Sequence, residues 1–291
     1  MECGGKVYIV HGSKPDRFRI HFLADIHDGA KNCARKRALA DIRAIAADPY
    51  AFAILGGDYG EYIHWLDKRF DGRATDLTPE QLDDMAAVMQ ERLLALFGPL
   101  KSKILGAHVG NHESAFMRHA AQGGMHARFC KALGVPNLGA TAFTDAVFMR
   151  RSDVKVPFLT RDIRKARPGG ERQACQCQTF RIVSCHGRSG ACTTSGKLTV
   201  LRKFMERFAG DLFFMGHLHE RIAHRKTRIG ANDPCTDLCD SVQVGVITGS
   251  YLLTYTKGQS GYGEEKQYDP VATGCASIEV KPATRELRAE V

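Results

Sequence analysis

Five short groups of residues in this chain combine carboxylate, imidazole and amide side chains. They are Asp25-Ile26-His27, Gly57-Asp58, Gly110-Asn111-His112-Glu113, Cys185-His186-Gly187 and Gly216-His217-Leu218-His219. Oxygen and nitrogen donors of this kind suit divalent ions such as Mn²⁺, Fe²⁺, Zn²⁺ or Ni²⁺ and disfavour a closed structural zinc site. In Asp25-Ile26-His27 and His217-Leu218-His219 the donors stand two apart, which on extended backbone turns both side chains to one face. Each group alone is common, since Gly-Asp is an ordinary turn and a strand-end His is more often structural. The order, the placement and the glycine neighbours together carry the signal.

The placement comes from the elements that precede the groups. Strand-like runs cover residues 6–11 and 18–24, the second ending at Asp25. Ala51-Phe52-Ala53-Ile54-Leu55 is uninterrupted and apolar, as in a strand buried on both faces, and stops at Gly56-Gly57-Asp58. Residues 103–109 lead into Asn111, 179–184 into His186, and 211–215 into His217. Between them, helical spacing of Ala38, Ile42, Ile45 and Ala46 predicts a helix that Pro49 closes, and Thr78-Pro79 predicts an N-cap and first helical residue. Further helices are expected up to about Leu133 and over 197–209, with antiparallel strands after Arg221. In α/β sheets, ligands sit beyond the carboxyl ends of the strands, so five strands delivering polar groups at one end would converge on one site.

In this order the five groups resemble the calcineurin-like metallophosphoesterase family; they span residues 25–219, about two thirds of the chain. Thr248-Gly249-Ser250-Tyr251 and Gly261-Tyr262-Gly263-Glu264-Glu265-Lys266 resemble members encoded by bacteriophages. The resemblance implies an α/β fold of the α+β kind, a four-layer αββα sandwich with two sheets face to face. It implies two divalent ions, manganese first, with iron, zinc, nickel or magnesium as alternatives. Asp25, His27 and His219 would hold one ion, Asn111, His186 and His217 the other, and Asp58 would bridge them. His112 would face the scissile phosphate, with Glu113 as its orienting partner. Two such ions about 3.5–4 Å apart would clamp attacking and leaving oxygens and acidify a water. Among the other histidines, His108, His119, His126 and His224 compete with His186, which is preferred because it ends a strand-like run.

The bulk properties agree with a globular phosphoesterase. The chain has 291 residues, 44% hydrophobic and 25% charged, and no apolar run of membrane-spanning length. One domain over 1–291 is expected, with insertions at 61–77 and 140–174. No export signal is visible, so the ten Cys are expected reduced in a cytoplasm, a host's if the chain is phage-encoded. Cys175, Cys177, Cys185 and Cys192 cluster without a Cys-x2-Cys zinc signature.

The net charge of +9 favours anionic partners. The expected substrate is a phosphate ester, with nucleotide or nucleic-acid phosphodiesters ahead of phosphoprotein. Tyr62, Trp65 and Phe70 are candidates for stacking on a base. Lys68, Arg69 and Arg73 in the first insertion, and Arg161, Arg164, Lys165 and Arg167 in the second, are candidates for phosphate contact. The alternatives are a phosphomonoesterase or protein phosphatase, a zinc-stabilised nucleic-acid-binding protein, and a metal-binding scaffold without activity. The last would be expected to lack a ligand or His112, and none is missing.

Overall fold

The computed structural model describes residues 1–65, 67–167, 176–231, 234–258, 264 and 267–291. Strands β1 (Glu2–His11), β5 (Thr141–Arg150), β6 (Phe158–Thr160), β7 (Gln176–Cys185), β8 (Leu212–Met215), β9 (Ile222–Ala231) and β10 (Leu238–Ile247) form one sheet, in the order β6-β1-β5-β7-β8-β10-β9. Strands β2 (Phe18–Leu23), β3 (Ala51–Leu55), β4 (Ile104–Ala107), β11 (Ala276–Lys281) and β12 (Glu286–Glu290) form the other, in the order β12-β11-β2-β3-β4.

The buried residues sort into layers. Phe18, Ile20 and Phe22 of β2 and Phe52 and Ile54 of β3 meet Phe148, Phe180, Ile182, Phe214 and Val246 of the larger sheet in one apolar cluster between the sheets. Alternate residues of β2 and β3, such as Leu23, Ala51, Ala53 and Leu55, point outward onto helices. There α1 (Arg35–Ala47) buries Ala38, Ile42 and Ile45, and α3 (Met85–Phe97) buries Met85, Met89, Leu93, Leu96 and Phe97. On the outer face of the larger sheet, Val183, Phe213 and Met215 pack on Leu201, Phe204 and Met205 of α7 (Thr194–Arg207). The result is the expected αββα sandwich. No helix among the described residues is long and apolar enough to cross a membrane.

Helix starts follow local chemistry. Thr78 caps α2 (Pro79–Asp83) in a reciprocal box with Gln81. The helical stretch expected up to Leu133 is two helices, α4 (Asn111–His119) and α5 (Met125–Leu133), with Gly123 and Gly124 between them. The expected insertion at 140–174 is in part a core element. Residues 141–150 of it are β5, hydrogen-bonded between β1 and β7. The remainder carries β6 and α6 (Ile163–Ala166), and residues 168–174 lie outside those described, as do Cys175 and most of 261–266.

Candidate metal centre

Strands β2, β3 and β4 are parallel neighbours, and so are β7 and β8. Their carboxyl ends open at one rim of the sandwich, where the two sheets bond to each other. The His186 ring Nδ1 donates to Gly56 O at 2.9 Å, and the His217 backbone N–H donates to Asp25 Oδ2 at 2.9 Å. Within the smaller sheet, Asp25 N donates to Gly57 O and His27 N to Asp58 O. All nine site residues expected from sequence lie at this rim. Asp25, His27 and His219 bring ligand atoms within 4.8 Å of one another, and so do Asp58, His186 and His217. Asn111 Oδ1 joins the second group, 2.9 Å from His186 Nε2.

The backbone at the ligands is not extended. Asp25, His27, Asp58, His217 and His219 have φ of 55°, 53°, 49°, 71° and 53°. These are left-handed conformations, which cost a non-glycine residue of order 1–3 kcal/mol each and persist only where surroundings impose them. The surroundings are visible. Ser250 Oγ and Tyr251 N both donate to Asp25 O at 2.9 Å, and Thr248 Oγ1 donates to Phe22 O at 2.7 Å. The segment Thr248-Gly249-Ser250-Tyr251 is thus a brace for the first ligand. Two glycines permit close approach. A Cβ on Gly57 would lie 2.6 Å from Gly110 N, and one on Gly110 would lie 2.1 Å from Asp58 Oδ1.

Glu113 corrects a sequence expectation. Its carboxylate does not orient His112. It accepts backbone N–H groups from Asp58 (3.0 Å), Gly110 (3.0 Å) and Tyr59 (2.8 Å), tying the β3 loop to the start of α4. Burial, with Asp58's charge added, pushes its pKa up to about 7 against the pull of His186 and these donors. The group facing His112 is Glu61, which sequence reading had assigned to a surface insertion. His112 Nδ1 donates to Glu61 O at 2.5 Å, and Glu61 Oε2 lies 2.7 Å from His27 Nδ1 and 3.8 Å from His112 Nδ1. The available signal was its spacing, three residues after Asp58 in a glycine-containing turn.

These contacts fix which ring nitrogen faces the rim. His27 offers Nδ1–H to Glu61 and His186 offers Nδ1–H to Gly56 O, so each turns its Nε2 to the rim. His27 Nε2 and Asp25 Oδ1 are buried without a hydrogen-bond partner among the described residues. Asp25 Oδ1 does lie 3.2 Å from His219 Nε2, a close ion-pair distance without hydrogen-bond geometry. His186 Nε2 faces two acceptors, Asn111 Oδ1 and, at 3.2 Å, Asp58 Oδ2. Acceptors converging in a buried space call for a cation. A proton on His186 is one answer: burial opposes it, but Asp58 outweighs burial and moves the pKa up to about 10. A divalent ion on each group is the other, and the donors fit it in type and orientation. Burial alone would raise Asp25 and Asp58, yet His219 and His186 respectively hold both below the usual carboxylate range.

The remaining candidates separate. His108 is a brace between sheets, bonded to Gly139 O and Ser184 Oγ. His126 is buried on α5, and Cys185 is buried beneath α7. The second basic group is remote. Arg150, at the end of β5, pairs with Gln176, at the start of β7, whereas the metal ligands follow the other end of β7. Residues 151–167 therefore begin at the opposite end of the larger sheet and return along β1 as β6. Arg161 is committed to the Ile104 and Leu105 carbonyls and Arg164 to Asp162.

No family model matches the chain, and no curated protein matches it in sequence. Among solved structures, a conserved uncharacterized protein of Streptococcus pneumoniae, titled a predicted phosphoesterase, is 12% identical with a TM-score of 0.33, covering 91% of this chain and 84% of that one. Vacuolar protein sorting 29 from Cryptosporidium parvum is 12% identical with a TM-score of 0.34, covering 94% and 96%. A single mutant of Vps29 from Entamoeba histolytica is 9% identical with a TM-score of 0.29, covering 94% and 97%.

Proposed function

We propose that the chain is a metal-dependent phosphoesterase, hydrolysing phosphodiesters of nucleotides or nucleic acid, in which Asp25, His27 and His219 would hold one divalent ion, Asn111, His186 and His217 a second, and Asp58 would serve as their shared ligand. The observation that carries this reading is the convergence of Asp25, His27 and His219 in one group and Asp58, His186 and His217 in an adjoining one, with Asp25 Oδ1 and His27 Nε2 unpartnered among the described residues and His112 beside them in a third group with His27 and Glu61. Divalent ions bound there supply Lewis acidity, charge neutralisation for phosphate and a water of lowered pKa. Asp25, His27 and His219 form one pocket of donors; Asn111, His186 and His217 form the other. Glu113 holds the Asp58 turn, and Asp58 Oδ1 accepts the His112 N–H at 2.9 Å.

His112 stands ready to be cationic. Burial opposes its charge, but Asp58 and Glu61 outweigh burial and raise its pKa. With Nδ1 committed to Glu61 O, the proton on Nε2 is the one available to the substrate. As water forms its bond to phosphorus and the ester P–O bond breaks, that proton passes to the leaving alkoxide. The diester preference draws support from the basic balance of the chain. Loading the protein with Mn²⁺ and assaying phosphate mono- and diesters tests the reading. Turnover of diesters with about two ions per chain is expected. No turnover of any ester by protein holding two ions would refute it.

A further inference from the structure

The rim carries a loop of which only Glu61, grouped with His27 and His112, belongs to a metal-binding cluster among the described residues. Residues 61–75 leave at Glu61, which contacts both His27 and His112, and return where Lys31 N bonds Ala74 O and Thr75 Oγ1 bonds Gly29 O. Both ends are thus stapled beside the first metal group. Tyr62 and Phe70, candidates for stacking by residue type, are spent on the core: Tyr62 is buried 5.3 Å from Phe116, and Phe70 packs on the outer helical cluster. Trp65 is not. It is 45% exposed, with its ring 4.1 Å from His64, which in turn lies 5.8 Å from Phe116. Phe116 is one helical turn from His112 on α4, so both occupy the same face of that helix. The ring contacts Phe116–His64–Trp65, edge-on and then tilted, therefore lead out from the helix face that carries His112.

Arg69 lies on the same loop, within electrostatic reach of Asp58, Glu61 and His112. Its Nε and Nη2 are held by Asp67 at 3.0 and 2.7 Å, an ion pair that orients the guanidinium and directs its Nη1 amino group away from the carboxylate. A flat, exposed aromatic and an oriented guanidinium beside a phosphoester site match the two halves of a nucleotide. Bases of any sequence stack on indole, and a guanidinium N–H donates to a phosphate oxygen.

We propose that this loop reads the substrate: Trp65 stacks on an unpaired nucleobase while Arg69 takes a phosphate oxygen of the same phosphodiester. The proposal rests on the phosphoesterase reading for its reaction, but not for its binding. Trp65 is the chain's only tryptophan, so its fluorescence reports stacking directly.

The test uses the Mn²⁺-loaded full chain and phosphorothioate-linked oligothymidylate, with an abasic strand of equal length as control. The thymidylate should quench Trp65, and the abasic strand should not. A dinucleotide that quenches as well as the strand identifies a nucleotide-sized substrate, and a weaker one identifies a strand. In turnover, Trp65→Ala should raise KM for ordinary oligothymidylate by about 5- to 100-fold, the range for one lost base stack. It should leave methyl nitrophenyl phosphate within about twofold, and Trp65→Phe should restore most of the loss. Arg69→Ala should flatten the salt dependence of binding by about 0.7 in log–log slope, one single-strand phosphate contact. Equal quenching by the abasic strand, or equal KM changes for both substrates, would overturn the proposal. If the loaded protein hydrolyses no ester, the phosphoesterase reading fails while the quenching still decides the base-binding question.

Discussion

Replacing Glu113 by Gln changes one oxygen to an amide nitrogen and leaves shape almost untouched. The structure sets what this costs. Oε2 accepts from Asp58 N and Gly110 N, and Oε1 from Tyr59 N. The amide can keep its oxygen on the two-donor side, but its NH₂ then meets the Tyr59 N–H, donor against donor. An orphaned buried donor costs about 1–3 kcal/mol and the other two bonds weaken, while the charge removed is one that burial and Asp58 oppose, so a net loss of about 1–3 kcal/mol is expected. The same turn carries Asp58 at a left-handed φ, so the ligand should shift with it. Metal affinity should fall by about 10- to 100-fold, as for other groups that support metal ligands. Urea unfolding of the metal-free protein reads the first number, and calorimetric titration with Mn²⁺ reads the second. A Glu113→Gln protein with the parent's urea midpoint and Mn²⁺ affinity would refute the reasoning.

Other expectations follow from the same contacts. Asp58→Asn should abolish turnover and release at least one ion, because the amide turns a donor towards either the His112 N–H or the metal space; elemental analysis showing two ions retained would speak against the shared ligand. His112→Gln should keep both ions and lower kcat by about 10²–10⁴-fold, the loss shrinking for nitrophenyl esters, whose leaving group needs no proton. His108 and His126 are neutral in the fold, burial lowering their pKa values to about 3 and 4. The unfolded chain therefore takes up more protons below about pH 6.5, and these groups cost stability as pH falls, about 1.4 kcal/mol each by pH 5.5 relative to pH 7.5. Ring NMR signals should remain those of neutral imidazole at pH 5, and a midpoint near 6 for either ring would contradict this.

Much of the centre was legible because it sits where strands stop. An apolar run such as Ala51–Leu55 announces itself, and the polar residue after it is then placed at a sheet rim. Glu61 was hidden because a loop carboxylate has no periodicity and its partners are 34 and 51 positions away. Glu113 was misassigned because adjacency to His112 suggested contact, whereas α4 turns it inward to backbone N–H groups. β5 was read as insertion, and its place between β1 and β7 depends on sheet order, which no local pattern encodes. The same gap placed Arg161, Arg164, Lys165 and Arg167 near the site on charge alone, at the wrong end of the strands.

The five left-handed ligands set a direction for change. At each of them glycine would relax the backbone and surrender the donor, so stability and chemistry pull opposite ways at the same codons. A lineage under selection for the reaction must keep Asp or His there against that pull. A lineage that had lost the need for it would be freest to relax the backbone at positions 217 and 219, whereas Asp25 and Asp58 also accept the His217 and His112 backbone N–H groups and would be held longer.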